Sequence, residues 1–354
     1  MPARVLTMLP VFFMLLLCLC AGAQDLAWKQ LPPIPDTLGV AGAFAGASGG
    51  ALLVMGGANF PDRMPWDGGV KVWRDEVYAL ASPDGQWKTA GKLPRPLAYG
   101  VSVQTEAGVL CIGGNDAERA YAEVFLVAWD GHGLNVCPYP ALPVPLANAC
   151  GALVGSTVYV AGGESAPNAT QCSGGFYSLD LKGKDRQWKT LAACPGEART
   201  LAVAGAAGGH FFLMGGVALS AGTDGKPLRR YLGDCHTYDT LSGAWKAMAE
   251  LPKAATAAPT PAPLLQGNQL VILGGDDGSL YSFRPLEKHP GFPGTVLAYD
   301  AGANTWSARK PVPAPRATLT AVLWRGMVVL PSGEARPGVR SPEVWAAKPE
   351  ALER

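Results

Sequence analysis

Apolar residues in this chain fall in short runs that stop at glycine. Leu52-Leu53-Val54-Met55 runs into Gly56-Gly57, and Val109-Leu110-Cys111-Ile112 into Gly113-Gly114. The same happens at Val158–Ala161 with Gly162-Gly163, at Phe212–Met214 with Gly215-Gly216, and at Val271–Leu273 with Gly274-Gly275. A sixth run, Val328-Val329-Leu330-Pro331-Ser332-Gly333, keeps only the second glycine. Successive second glycines lie roughly fifty to sixty residues apart, the spacing of a repeated supersecondary unit. After each pair comes a second apolar strand bearing tyrosine, as in Val77-Tyr78, Phe176-Tyr177, His236–Tyr238 and Leu297–Tyr299. A tryptophan follows at Trp87, Trp188, Trp245 and Trp306, and then a Leu-Pro turn such as Leu93-Pro94 or Leu251-Pro252. Short runs between turn residues, with no long helical period, predict an all-β fold of repeated four-stranded sheets.

Glycine pair, tyrosine strand and tryptophan strand in register resemble the kelch repeat, so the predicted architecture is a six-bladed kelch-type β-propeller. Blade 2 is the poorest copy, with Val136 or Cys137 near the expected tryptophan. Blade 6 has strands near 318–323, 327–330 and 343–345, and lacks a fourth. The segment 26–33, Leu26-Ala27-Trp28-Lys29-Gln30-Leu31-Pro32-Pro33, reads as an orphan fourth strand. Pairing it with blade 6 at 315–347 closes the ring and removes the open edges.

Composition narrows the setting. Hydrophobic residues make up 48% of the chain and charged residues 16%, with 45 glycines and 31 prolines, so a large folded core is expected. Residues 1–23 stand apart: Arg4, then an apolar run broken by Pro10, then Ala21-Gly22-Ala23. This is the pattern of a secretory signal peptide cleaved before Gln24, leaving one domain over 24–354 and a periplasmic or secreted location. Lys and Arg number 29 against 28 Asp and Glu, so loss of Arg4 leaves the charges balanced. Neither nucleic acid nor an anionic membrane surface is implied as partner. Cys111, Cys137, Cys150, Cys172, Cys194 and Cys235 remain, and the expectation is buried thiols with one or two disulfides. No phosphate loop, dinucleotide motif or metal-like cluster is present, so no cofactor is implied.

Antiparallel order fixes which loops share a face. The loop between strands 2 and 3 of a blade emerges on the same side as the link into the next blade. Residues after each glycine pair, and those just before each first strand, should therefore surround one mouth of the central channel. The first set supplies Asn59, Arg63, Trp66, Lys71, Asn115, Asp116, Glu164, Asp276, Asp277, Glu334, Arg336 and Arg340. The second supplies Arg95, Arg199 and Arg316. Arginine forks match carboxylates, so a small polyhydroxylated anion is the expected ligand, with Asn59, Arg63, Lys71, Arg95, Arg199 and Arg316 as candidate binding residues. The alternative for each arginine is structural, tying blades together through backbone carbonyls.

Two segments carry a more specific likeness. Gly333-Glu334-Ala335-Arg336-Pro337-Gly338-Val339-Arg340-Ser341 resembles a segment of the N-acetylneuraminate epimerases, or sialic acid mutarotases. Gly39–Gly46 and Met55-Gly56-Gly57-Ala58-Asn59-Phe60-Pro61, followed by Pro65-Trp66, Gly68-Gly69 and Lys71, are similar to further family segments. In better-known members the first segment lies mid-chain and runs into the second, whereas here they sit at opposite ends. The chain looks like a cyclically permuted member, a change that a closed ring tolerates. The resemblance implies interconversion of the α and β anomers of N-acetylneuraminate, with Glu334 as catalytic glutamate and Arg340 as functional arginine. Ring opening needs a base for the anomeric hydroxyl and a donor for the ring oxygen, and a cation would position the sugar's carboxylate. Arg199 and Lys71 are further candidates for that cation.

Three other readings compete. A kelch propeller can bind a glycan or protein without catalysis. A sialidase would need paired carboxylates, or a tyrosine with an acid partner, and Ser82–Trp87 is out of register with an Asp-box. A copper oxidase would need clustered histidines, but His132, His210, His236 and His289 lie in different blades.

Overall fold

The apolar runs are continuous because the strands they form are covered on both faces. In the computed structural model, which describes residues 25–265 and 269–349, every residue of the second strands Ala51–Met55, Gly108–Ile112 and Met327–Pro331 is buried. Outer strands such as Trp87–Lys92 and Leu134–Tyr139 have no buried residue. This gradient is that of blades stacked face to face around an axis, with their fourth strands in solvent.

Six four-stranded antiparallel sheets make up the ring. Blade 1 contains Phe44–Ser48, Ala51–Met55, Glu76–Leu80 and Trp87–Lys92, from the centre outward. Blades 2 to 5 repeat this order, beginning at Val101–Thr105, Cys150–Val154, Val203–Ala207 and Leu264–Leu265. Blade 6 is built from Val322–Trp324, Met327–Pro331, Val344–Pro349 and, as its outermost strand, Leu26–Leu31. Leu26 pairs with Pro349 and Leu31 with Val344, so the N-terminal strand completes the C-terminal blade. The predicted leader, residues 1–23, lies outside the described residues.

Each pair of neighbouring blades shares an apolar cluster. Leu52 and Val54 of blade 1 meet Val329 and Ala346 of blade 6, for example, while Phe44 and Leu53 meet Val109 and Phe125 of blade 2. The tryptophans fasten these interfaces at the rim. Indole N–H groups of Trp87, Trp188, Trp245 and Trp306 donate to the carbonyls of Pro32, Pro140, Ala192 and Ala249, each just beyond the preceding blade's outer strand. In blade 2 Leu134 and Val136 pack against blade 1 instead, and Cys137 is exposed.

The glycine pairs have a steric cause. A Cβ on Gly56 would sit 2.4 Å from the carbonyl oxygen of Leu97, in the link to the next blade. Blade 6 meets the same demand with a polar residue. Ser332 adopts φ 60°, and its hydroxyl accepts the Val40 N–H at 2.8 Å. That bond joins blade 6 to blade 1 at the seam. The expected disulfides do not form among the described residues: their six cysteines are free thiols, and Cys111, Cys150 and Cys235 are buried one by one within blades.

Candidate functional site

One residue per blade, just before the first strand, takes a left-handed backbone conformation: Gly42, Tyr99, Asn148, Leu201, Ala257 and Thr318. Their φ values lie between 52° and 66°. Each donates its N–H to the carbonyl of the preceding member, and Gly42 donates to Thr318, so the six close into a hydrogen-bonded circle with bonds of 2.7 to 2.9 Å. Left-handed geometry at a residue with a side chain costs about 1 kcal/mol, which the circle offsets by satisfying six backbone pairs. The preceding residue in each blade forms a bridge with the one after the glycine pair, such as Ala147 with Glu164, Thr256 with Asp276 and Ala317 with Glu334. Residues following the glycines are thereby held around the circle.

Above the circle opens a cavity of about 500 Å³, within the range of small-molecule sites. Tyr99, Asn148, Leu201, Ala257 and Thr318 form its floor. Its walls carry three carboxylates, Glu164, Asp276 and Glu334, and three cations, Lys71, Arg229 and Arg340. Glu164 accepts bonds from Asn148 Nδ2 at 3.1 Å and Thr200 Oγ1 at 2.8 Å. Asp276 accepts the hydroxyl of Tyr231 at 2.7 Å. Burial, and then that bond, pushes the Tyr231 phenol well above the ordinary tyrosine range.

Glu334 and Arg340 meet because their segment is a tight ribbon. Glu334–Arg336 pairs with Val339–Arg340, Glu334 stands opposite Arg340, and Gly338 makes the turn at φ 83°. Arg340 Nη1 donates to Glu334 Oε1 at 3.0 Å. The same oxygen accepts the Gly338 N–H at 2.7 Å, and Thr318 Oγ1 approaches Oε2 at 3.4 Å. The Arg340 side chain is 5% exposed. Its Nε donates to the Ala58 carbonyl, its guanidinium covers Phe60 at 4.8 Å, and Nη2 lies 3.5 Å from the Tyr99 hydroxyl. Lys71 rests on the faces of Trp73 and Tyr99, at 5.5 and 5.1 Å.

Glu334, Arg340 and Lys71 are thus together in the cavity, and the other five candidates are not. Arg199 is buried and forks onto Asp234, with Nη1 donating to Oδ1 at 3.0 Å and to the Gly215 carbonyl at 3.0 Å. Arg316 ties Ser341 and Glu343. Arg95 pairs with Glu123 at 2.9 Å and covers Tyr121. Each of these arginines joins segments of the scaffold, as in the structural alternative, and none of them lines the cavity. Asn59 is buried, donating to Asp36 and the Gly39 carbonyl and accepting from Arg74. Arg63 is exposed in the blade 1 loop and does not line the cavity. Arg336, for its part, donates to the Glu287 carbonyl and covers Trp66 at 5.7 Å.

The N-acetylneuraminate epimerase family model matches residues 18–136 and 139–284. The chain belongs to this family. Curated N-acetylneuraminate epimerases are similar over shorter stretches. The one from Brucella suis is 47% identical over 121 residues, covering 30% of this chain and 31% of the relative. That of Yersinia enterocolitica is 39% identical over 130 residues, 32% of each chain. That of Salmonella enteritidis is 45% identical over 110 residues, 27% of this chain and 28% of the relative. The chain therefore matches these curated epimerases over about a third of their length.

Reading by residue type missed the floor. Tyr99, Asn148 and Thr318 occupy one repeat position, and in blades 4 and 6 that position lies two residues beyond the arginines Arg199 and Arg316. Aligning the blades on the glycine pairs picks out this column. Choosing the charged residue in each link does not, because that residue turns into the blade while its neighbour two places on faces the channel. Among the described residues, no group of three or more His, Cys, Asp or Glu is placed to hold a metal ion. None of their helices is long and apolar enough to cross a membrane.

Proposed function

We propose that this chain interconverts the α and β anomers of N-acetylneuraminate by opening and reclosing its pyranose ring. The observation that carries this reading is the Glu334–Arg340 pair, 3.0 Å apart on a cavity wall. In the proposed reaction the sugar's carboxylate engages Arg340 and Lys71, two of the three cations that line the cavity. Glu334, held by Gly338 and Thr318, takes the proton of the anomeric hydroxyl. The bond from the anomeric carbon to the ring oxygen breaks as the anomeric oxygen becomes a carbonyl, and the ring oxygen gains a proton. Rotation of the open chain and reclosure on the opposite face give the other anomer. Nothing is oxidised and no group leaves, so acid–base and electrostatic catalysis suffice.

The partial span of the curated relatives fits a cyclic permutation of the blades, in which only one block of sequence keeps their order. Residues 1–23 fit a leader that delivers the propeller to the periplasm, where free sialic acid would be met.

The test is proton NMR of N-acetylneuraminate freshly released as the α anomer by a retaining sialidase. The wild-type protein should shorten the approach to the β-rich equilibrium, and folded Glu334→Gln should not. Equal rates with and without protein would remove the epimerase reading and leave a sugar-binding or protein-binding propeller.

A further inference from the structure

Ring opening at the anomeric carbon needs two proton transfers, and Glu334 accounts for one. We propose that Tyr99 performs the other, giving its phenolic proton to the ring oxygen as the pyranose opens and taking it back as the ring recloses. This rests on the reading above, in which Glu334 serves the anomeric hydroxyl.

Four observations point to this residue. Tyr99 is the sole titratable side chain among the six members of the hydrogen-bonded circle, and it lines the cavity. Its direction is fixed from below, since a Cβ on Gly42 would lie 2.4 Å from Tyr99 Cδ1, so the ring lies against bare glycine backbone. Its hydroxyl lies 3.5 Å from Arg340 Nη2, while Glu334 Oε1 lies 3.0 Å from Nη1. Acid and base therefore touch the two ends of one guanidinium. The two oxygens they must serve are bonded to one carbon, which also bears the sugar's carboxylate, so the spacing of donor and acceptor suits the reacting centre. Finally, the Lys71 ammonium stands 5.1 Å from the centre of the Tyr99 ring, where it stabilises the negative charge that develops on the phenol. Lys71 itself is held over two aromatic faces, where it serves best as a fixed cation.

The protons balance. On opening, Glu334 gains the anomeric hydroxyl proton, the bond between carbon and ring oxygen breaks, and Tyr99 gives its proton to that oxygen. The intermediate is an open-chain ketone with Glu334 protonated and Tyr99 ionised. On closing, the chain hydroxyl attacks the other face of the carbonyl, Tyr99 recovers its proton, and Glu334 returns its own to the new anomeric oxygen.

Tyr99→Phe keeps the ring, its packing on Gly42 and the backbone, and removes only the hydroxyl. The expected result is a fall of about a hundredfold or more in the catalysed anomerisation rate, with unchanged affinity for N-acetylneuraminate and unchanged melting temperature. Fluorotyrosine at position 99, a more acidic phenol, should move the alkaline limb of the wild-type rate profile to lower pH. Retention of the wild-type rate by Tyr99→Phe would overturn the assignment while leaving Glu334→Gln inactive and the epimerase reading intact. Loss of sugar binding in step with rate, or an unmoved alkaline limb, would also overturn it, making Tyr99 a residue that positions Arg340. A wild-type protein without anomerisation activity would overturn both readings together.

Discussion

The guanidinium of Arg340 lies 4.8 Å over the ring of Phe60, although the two residues come from opposite ends of the chain. Around them the blade 1 loop and the blade 6 ribbon interlock. Arg340 Nε donates to the Ala58 carbonyl, and a Cβ on Gly338 would lie 2.5 Å from Pro65 Cγ. The seam that closes the propeller is therefore also the wall that carries the Glu334–Arg340 pair. Ring closure and site assembly are one structural event.

Arg340→Lys should damage this wall more than its conserved charge suggests. The guanidinium donates in three directions and covers Phe60 with a planar face, which an ammonium cannot reproduce. The anomerisation rate should fall about tenfold to a hundredfold, a loss of roughly 1–3 kcal/mol of transition-state stabilisation. Steady-state NMR rates at several sugar concentrations would measure it.

Gly42→Ala and Gly68→Ala form a matched pair. Both glycines have φ in the left-handed region, at 66° and 77°. A Cβ at Gly68 meets nothing within 4 Å, whereas one at Gly42 drives into the Tyr99 ring. Gly68→Ala should cost about 1 kcal/mol of stability from backbone strain alone. Gly42→Ala should cost about 2–3 kcal/mol through strain plus displacement of Tyr99, and should slow catalysis as well. Thermal melts with parallel rate measurements would separate the two.

Arg199→Ala should be a stability variant. It would leave the Asp234 carboxylate, 32% exposed, with only His236 as partner, at a cost of about 2 kcal/mol after allowance for that exposure. Burial alone would raise the Asp234 pKa, but the bonds from His236 and Arg199 outweigh it and hold the carboxyl well below the ordinary range. A depressed folded-state pKa gives stability that is present above the unfolded value, near 4, and lost as pH falls through the folded value. Acid unfolding of the wild type should therefore steepen below about pH 4. Asp234→Asn should flatten that dependence, as denaturant midpoints at pH 7 and pH 3 would reveal.

Thiol chemistry should single out Cys137 among the described cysteines. Burial pushes Cys150, Cys194 and Cys235 up to about 12 and Cys172 up to about 11, leaving almost no thiolate at neutral pH. Cys137 is exposed. Brief iodoacetamide treatment of the native protein, followed by peptide mass mapping, should find modification at Cys137 well ahead of these four.

Much of the fold was legible because propellers repeat their reasons. A glycine recurs wherever a neighbouring link passes within contact distance, and a tryptophan wherever an indole can reach the carbonyl of the previous rim. Even the orphan strand at Leu26–Leu31 betrayed itself, since blade 6 lacked a partner for it. Glu334 and Arg340 were legible as a motif, and the ribbon turn at Gly338 explains the six-residue spacing. The place of Tyr99 on the cavity floor was not legible, because it depends on a backbone conformation that no residue type announces. Arg199 was ambiguous for the opposite reason: a fork suited to a carboxylate ligand is equally suited to Asp234 in the next blade. Ser332 hid a similar substitution, occupying a glycine's conformation at the price of a hydroxyl bond to Val40.

The circle of six peptide groups has one further consequence. No member can swing aside without breaking two bonds at once, and the space at the circle itself, about 50 Å³, is too small to pass a sugar acid into the cavity of about 270 Å³ further down the channel. The well is a cul-de-sac. Under the proposed function, a sugar acid that enters by the upper mouth must back out through the same doorway, whichever hand its anomeric carbon then bears. Arriving and departing anomers therefore queue for one entrance, so each inhibits the turnover of the other, and traffic through the door carries no direction of its own.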